Sequence, residues 1–175
     1  MKRILSLLFL LPVFAKAQQP SAEALVKEFI SIIKTGEKAR FHKLFPDKVT
    51  LNQMYSDMLR EGKIPDSDTA EAREAMDDMS DEVNEIYGDV MRRIREKQIN
   101  PAQLVFKSVA FKADSKDSEM TSDMKLYKGS LYITAGAKTY LFEVEGILEY
   151  KGSFYGIDLA KITIPPKTKT PARRH

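Results

Sequence analysis

The sequence predicts an α+β fold: N-terminal helices, one of them long, packed on a curved antiparallel meander that is four- to five-stranded. Three observations carry this. Within 139–150, Tyr140, Phe142, Val144, Leu148 and Tyr150 fall on even positions and Glu143, Glu145 and Glu149 on odd ones, the period of a strand with one buried side. Upstream, Ala72, Met76, Met79, Val83, Ile86, Val90 and Ile94 follow each other at nearly heptad spacing, the stripe of a long helix. After Pro101 the apolar period changes from helical to two and stays there to Ile164.

The chain has 175 residues. It opens with Lys2 and Arg3, an apolar run from Ile4 to Phe14 broken by Ser6 and Pro12, and the small-residue site Ala15-Lys16-Ala17. This reads as a secretory signal peptide over 1–17, cleaved between Ala17 and Gln18. A membrane-spanning helix needs ~20 apolar residues, about twice what this run offers. Three bases and no acid leave with the segment, so 28 Lys and Arg against 25 Asp and Glu become 25 of each sign. Zero net charge gives no reason to expect a nucleic-acid partner, and no stable membrane insertion is expected after cleavage. There is no cysteine, which excludes disulfides, thiolate metal sites, a cysteine nucleophile and a lipoprotein anchor. The expectation is a soluble exported protein, periplasmic or extracellular, with a single domain over 18–164 and a disordered basic tail over 165–175.

Taken in order, Ser21 caps a first helix and Gly36 ends it, with Leu25, Val26, Phe29, Ile32 and Ile33 on one face. A short helix over 37–45 turns Phe41, Leu44 and Phe45 inward and stops at Pro46. Thr50-x-x-Gln53 reads as a capping box for a third helix over 51–60, with Leu51, Met54, Tyr55, Met58 and Leu59 on one side and Gly62 and Pro65 closing it. Asp68-x-x-Glu71 has the same pattern at the start of the long helix. Acids dominate its early part and bases its end, as the macrodipole favours, and Asn100-Pro101 terminates it. At ~1.5 Å per residue it spans ~45 Å, so it projects or bends, with Gly88 its weak point.

The first strand covers 104–113, apolar on both faces near its ends and expected to be well covered. A polar turn over 114–118 leads to a strand in which Met120, Met124 and Leu126 alternate with Thr121, Asp123 and Lys125. A short strand over 130–135 follows, and Gly136 turns the chain into 139–150. Two near copies, Tyr127-Lys-Gly-Ser-Leu-Tyr132 and Tyr150-Lys-Gly-Ser-Phe-Tyr155, read as two hairpin tips. Gly146, in mid-strand, marks a bulge or bend.

Helices followed by a bent meander with a glycine-kinked long strand resemble the cystatin-like cone superfamily, which includes nuclear transport factor two-like and ketosteroid isomerase-like proteins and small exported proteins of unknown function. The likeness sits in Leu131-Tyr-Ile-Thr, Tyr140-Leu-Phe-Glu-Val and Phe154-Tyr-Gly-Ile-Asp. The chain departs from that plan in having no early strand between helices. The resemblance implies an apolar pocket between sheet and helices and carries over no catalytic residue.

Chemistry is sparse. His42 and His175 are the only histidines, too few for a zinc site or a serine triad. Asp66-Ser-Asp68 lacks the glycine and terminal acid of a calcium loop, and Asp77-Asp78-x-x-Asp81-Glu82, on a helix, reads as a solvated face at its positive end, so no metal and no cofactor is expected. Met54, Met58, Met76 and Met79 line a common interior. Tyr55, Tyr140, Tyr155 and Asp158 are the candidate pocket residues. The expectation is a non-catalytic binding or interaction module for a small molecule or protein. The alternative is an isomerase- or hydratase-like enzyme using the sheet pocket, which requires an ionisable group there with a perturbed pKa. A homodimer through the long helix requires its apolar stripe to be exposed.

Overall fold

The computed structural model describes residues 19–65, 69–113, 120–156 and 158–165. The signal segment, the Asp68 capping position, the 114–118 turn and the basic tail lie outside these residues, as do the side chains of Met76 and Met79. The fold is α+β, with helices packed on a curled antiparallel sheet that forms a half-barrel.

Helix α1 (Ala22–Thr35) is capped at Ser21, whose hydroxyl accepts from Ala24 N, and closed by Gly36 at φ 71°. Leu25, Val26, Phe29, Ile32 and Ile33 are fully buried, so α1 is the central helix of the core. One-turn α2 (Lys38–Phe41) continues into a 3₁₀ turn (His42–Leu44) and buries Phe41, whose ring meets Phe29, Phe45 and Tyr87 at centroid distances of 6.2, 5.4 and 5.1 Å.

Helix α3 (Lys48–Arg60) begins three residues before the expected start. Its cap is Asp47, whose Oδ1 accepts from Thr50 N and Thr50 Oγ1, so Thr50 is a donor inside the first turn and not the cap. Gly62, at φ 66°, ends it, with Lys63 N donating to Met58 O and Gly62 N to Leu59 O. Helix α4 (Thr69–Glu96) continues through Gly88. Gln98 at φ 53° stops it, two residues before Asn100-Pro101, which instead open a 3₁₀ turn (Pro101–Gln103). Val83, Val90 and Ile94 are buried in the main core.

The sheet runs β1 (Leu104–Ala113), β2 (Met124–Ala135), β3 (Lys138–Tyr150) and β4 (Ser153–Tyr155), with β5 (Asp158–Thr163) on the same edge of β3 as β4 but further along it. Two expectations change here. β1 is not well covered: among the described residues it pairs only with β2, and Val105 is 48% exposed. And 127–132 is no hairpin tip. β2 passes straight through it, because Gly129 is a flat seat for Phe111 of β1; a Cβ there would lie 3.2 Å from the Phe111 ring. Only the second copy turns, with Lys151 at φ 48° and Gly152 at φ 76° between paired Tyr150 and Ser153.

The bulge in β3 organises the packing. Between the pairs Gly129↔Val144 and Tyr127↔Ile147, β3 carries one residue more than β2, and Gly146 takes φ 71°. Before the bulge Tyr140, Phe142 and Val144 enter the main core; after it Ile147 does. Leu148 and Tyr150 therefore face the other side, where a second cluster forms with Leu51, Met54, Met124 and Tyr155, flanked by Met58 and Met120. The even-position stripe is thus split between two clusters.

Candidate functional site

The seam between the two clusters is a cleft of roughly 200 Å³. Its floor comes from the sheet: Gly146 and Leu148 of β3, Tyr155 of β4, and Gly156. Val83 and Ile86 of α4 form one wall, and Phe45 and Pro46 another. Glu82 and Asp158, both exposed, stand at its rim. Neither has an ion-pair partner among the described residues, and no base lines the cleft.

Glycine shapes this seam. Gly146 and Gly156 both have left-handed backbones, at φ 71° and 73°. A Cβ on Gly156 would lie 3.1 Å from the Gly146 carbonyl oxygen, so the two chains approach as closely as backbone allows. Gly156 N donates to Leu44 O at 2.6 Å, which pins the α2–α3 connection, and with it Phe45, against the sheet. At this point β3 exchanges β4 for β5 as its partner.

The cleft brings together two of the four expected pocket residues, Tyr155 and Asp158. Tyr140 is buried in the main core, opposite Ile133. Tyr55 is half-buried on α3 and does not line the cleft. Phe45, Pro46, Ile86, Glu82 and Gly156 were not anticipated. The available signal was Gly156 inside an otherwise strand-like F-Y-G-I-D run, a second kink ten residues after the first.

A second polar site was also missed. Asp57 of α3 is 3% exposed. Its Oδ2 accepts from Tyr150 Oη and Lys151 Nζ, each at 2.7 Å, and its Oδ1 pairs with Arg60 at 2.8 Å. The Lys151 ammonium, then the Tyr150 hydroxyl, hold the Asp57 carboxyl below its ordinary pKa despite its desolvation. Burial, then the adjacent carboxylate, raises that of Tyr150. The bond to Asp57 raises that of Lys151. Each group is fixed in its ordinary charge state, which is the reverse of a poised acid–base pair. The cluster staples α3 to the β3–β4 turn.

Elsewhere, His42 Nε2 lies 3.2 Å from Asn84 Oδ1 and ties the 3₁₀ turn to α4. Among the described residues no three metal-ligating side chains converge, and no helix is long and apolar enough to cross a membrane. No protein-family model matches the chain, and no curated protein or solved structure matches it either.

Proposed function

We propose that this is an exported, soluble, non-catalytic binding module on the cystatin-like cone plan. Its ligand places one apolar group of about ring size in the seam cleft and a positive charge at the rim. The observation that carries this reading is the cleft itself: apolar walls around roughly 200 Å³, with Glu82 and Asp158 at its mouth and no base beside them. An apolar cavity of ~150 Å³ already holds a benzene ring. Two carboxylates on the rim favour an ammonium over a carboxylate at the same position. The groups with displaced pKa values belong to the Asp57 staple and to the Glu37–Arg40 and Arg92 ion pairs, whose hydrogen bonds are internal, which supports binding over turnover. Val83, Val90 and Ile94 serve the chain's own core, which argues against a dimer through that part of the stripe.

The test is an NMR titration with phenethylamine and, separately, hydrocinnamate, which share the ring and differ in charge. The amine is expected to bind about tenfold more tightly, with shifts confined to Phe45, Val83, Ile86, Leu148 and Tyr155. Asp158→Asn is expected to remove most of that preference. Equal binding of both probes, or shifts elsewhere, refutes the reading. Intact mass of protein secreted by cells expressing the full chain tests export; loss of 1–17 is expected.

A further inference from the structure

We propose that the free edge of β1 is a docking site for an acidic, extended peptide segment of a partner protein, which adds to the sheet as a further antiparallel or parallel strand. This surface lies apart from the seam cleft, and the inference does not rest on the reading given for that cleft.

β1 is a ten-residue strand with one partner among the described residues. An edge strand leaves about half of its N–H and C=O groups pointing outward. Among the described residues, apart from Leu104 N, which donates to Pro101 O at the strand's start, no backbone hydrogen bond reaches β1 from outside the sheet. An open groove of roughly 550 Å³ runs between this edge and α1. Leu104, Val105 and Phe106 form its strand side, and Ile30 with Lys27 and Lys34 its helix side. No residue of β2 or β3 lines it, so it opens away from the sheet interior. A groove between an edge strand and a helix gives an added strand both main-chain partners and a place for every second side chain.

Charge selects the occupant. β1 reads Leu-Val-Phe-Lys-Ser-Val-Ala-Phe-Lys-Ala, with Lys107 and Lys112 and no acid. Lys34, Lys107 and Lys112 have no anionic partner among the described residues, whereas Lys27 pairs with Glu23 at 2.6 Å. Self-pairing of two β1 edges would bring lysines toward lysines, which is the usual way an edge is protected from its own copies. The same lysines attract a strand carrying Asp or Glu. The extra residue at Lys107, where the register shifts between Phe106 and Ser108, interrupts regular pairing beyond the groove and centres the docking length on 104–106.

The experiment uses protein recovered from cells expressing the full chain. Acetylated alternating Val-Glu and Val-Lys peptides of about eight residues are titrated in, with amide exchange followed by NMR. Saturable binding of the Val-Glu peptide, weakened by salt and slowing exchange of outward β1 amides, is expected. The Lys34→Glu/Lys107→Glu variant alters only exposed side chains. It is expected to bind that peptide about tenfold more weakly and to gain affinity for Val-Lys. Three results overturn the proposal: no protection of β1 by either peptide, equal binding of both, or a concentration-dependent dimer that protects β1 in the absence of peptide.

Discussion

Gly156→Ala and Gly146→Ala form a matched pair that tests the account of the seam. Both glycines sit at nearly the same left-handed φ, 73° and 71°. An alanine in that region costs about 1–2 kcal/mol, offset by about 0.4–1 kcal/mol because alanine restricts the unfolded chain. Gly146→Ala meets nothing within 4 Å and should lose only that difference, about 1 kcal/mol. Gly156→Ala meets the Gly146 carbonyl at 3.1 Å while its own N–H is held by Leu44 O at 2.6 Å, so neither neighbour yields easily. Overpacking of this kind adds about 1–3 kcal/mol. The measurement is thermal unfolding followed by circular dichroism, with urea titration as the second probe. At about 2–4 °C per kcal/mol for a domain of this size, Gly146→Ala should lower Tm by about 2–4 °C and Gly156→Ala, at about 2–4 kcal/mol in all, by about 4–16 °C. Equal losses for the two would show that backbone contact across the seam does not hold it, and the reasoning would fail.

Tyr150→Phe removes one hydrogen bond to a buried carboxylate and is expected to cost about 1–2 kcal/mol by urea denaturation; no loss would mean the staple holds nothing. Because the Asp57 pKa is lowered on folding, its contribution is fully present above the unfolded carboxylate value and is lost as pH falls through the folded one. Lys151 is raised, so its share is present below the unfolded lysine value and is lost as pH rises through the folded one. A stability–pH curve should therefore fall at both ends, and the acid limb should become shallower in Tyr150→Phe. Thr121 is buried, and its hydroxyl has no partner among the described residues, so Thr121→Val should raise stability by about 1 kcal/mol; a lower Tm would contradict that. Asp47→Ala should cost about 1 kcal/mol through the lost α3 cap while Gln53→Ala changes little, and the reverse order would restore the capping box at Thr50.

Local chemistry was legible in the sequence wherever it acts within a few residues. Ser21 and Gly36 bracket α1 because a hydroxyl acceptor and a left-handed glycine suffice to start and stop a helix. The β1 bounds and the Gly146 bulge follow from alternation and its interruption. What escaped depends on contacts far apart in sequence. Period two marks Leu148 and Tyr150 as buried but does not show that the bulge moves them to a second cluster. Apolar residues on both faces of β1 imply a strand well inside the fold, yet among the described residues the order of strands puts it at the edge of the sheet. Asp57 looks like any helix-surface acid until Tyr150 and Lys151 arrive, ninety-three residues away in the case of the tyrosine. Tyr155 and Asp158 were named for the cleft, but its other walls escaped for the same reason, since it is built from four segments that only the folded chain assembles.

The two Tyr-Lys-Gly-Ser-x-Tyr copies show how such distant contacts override local preference. In both, the Lys-Gly pair suits a two-residue turn. In the second copy the turn forms, and a lysine at φ 48° is tolerable because its ammonium reaches Asp57 and its N–H donates to Asp123 O. In the first copy Lys128 and Gly129 lie between two long strands, with Lys112 and Phe111 opposite on β1 and Val144 on β3. A turn there would unpair both neighbours, and the ring of Phe111 needs the missing side chain of Gly129. One glycine is kept for its backbone freedom and the other for its lack of volume. That difference decides the architecture: a continuous β2 gives β3 a full-length partner on one edge, so the bend at Gly146 must be resolved on the other edge, where β4 stops, Gly156 crosses, and β5 begins. The cleft is the space left by that exchange.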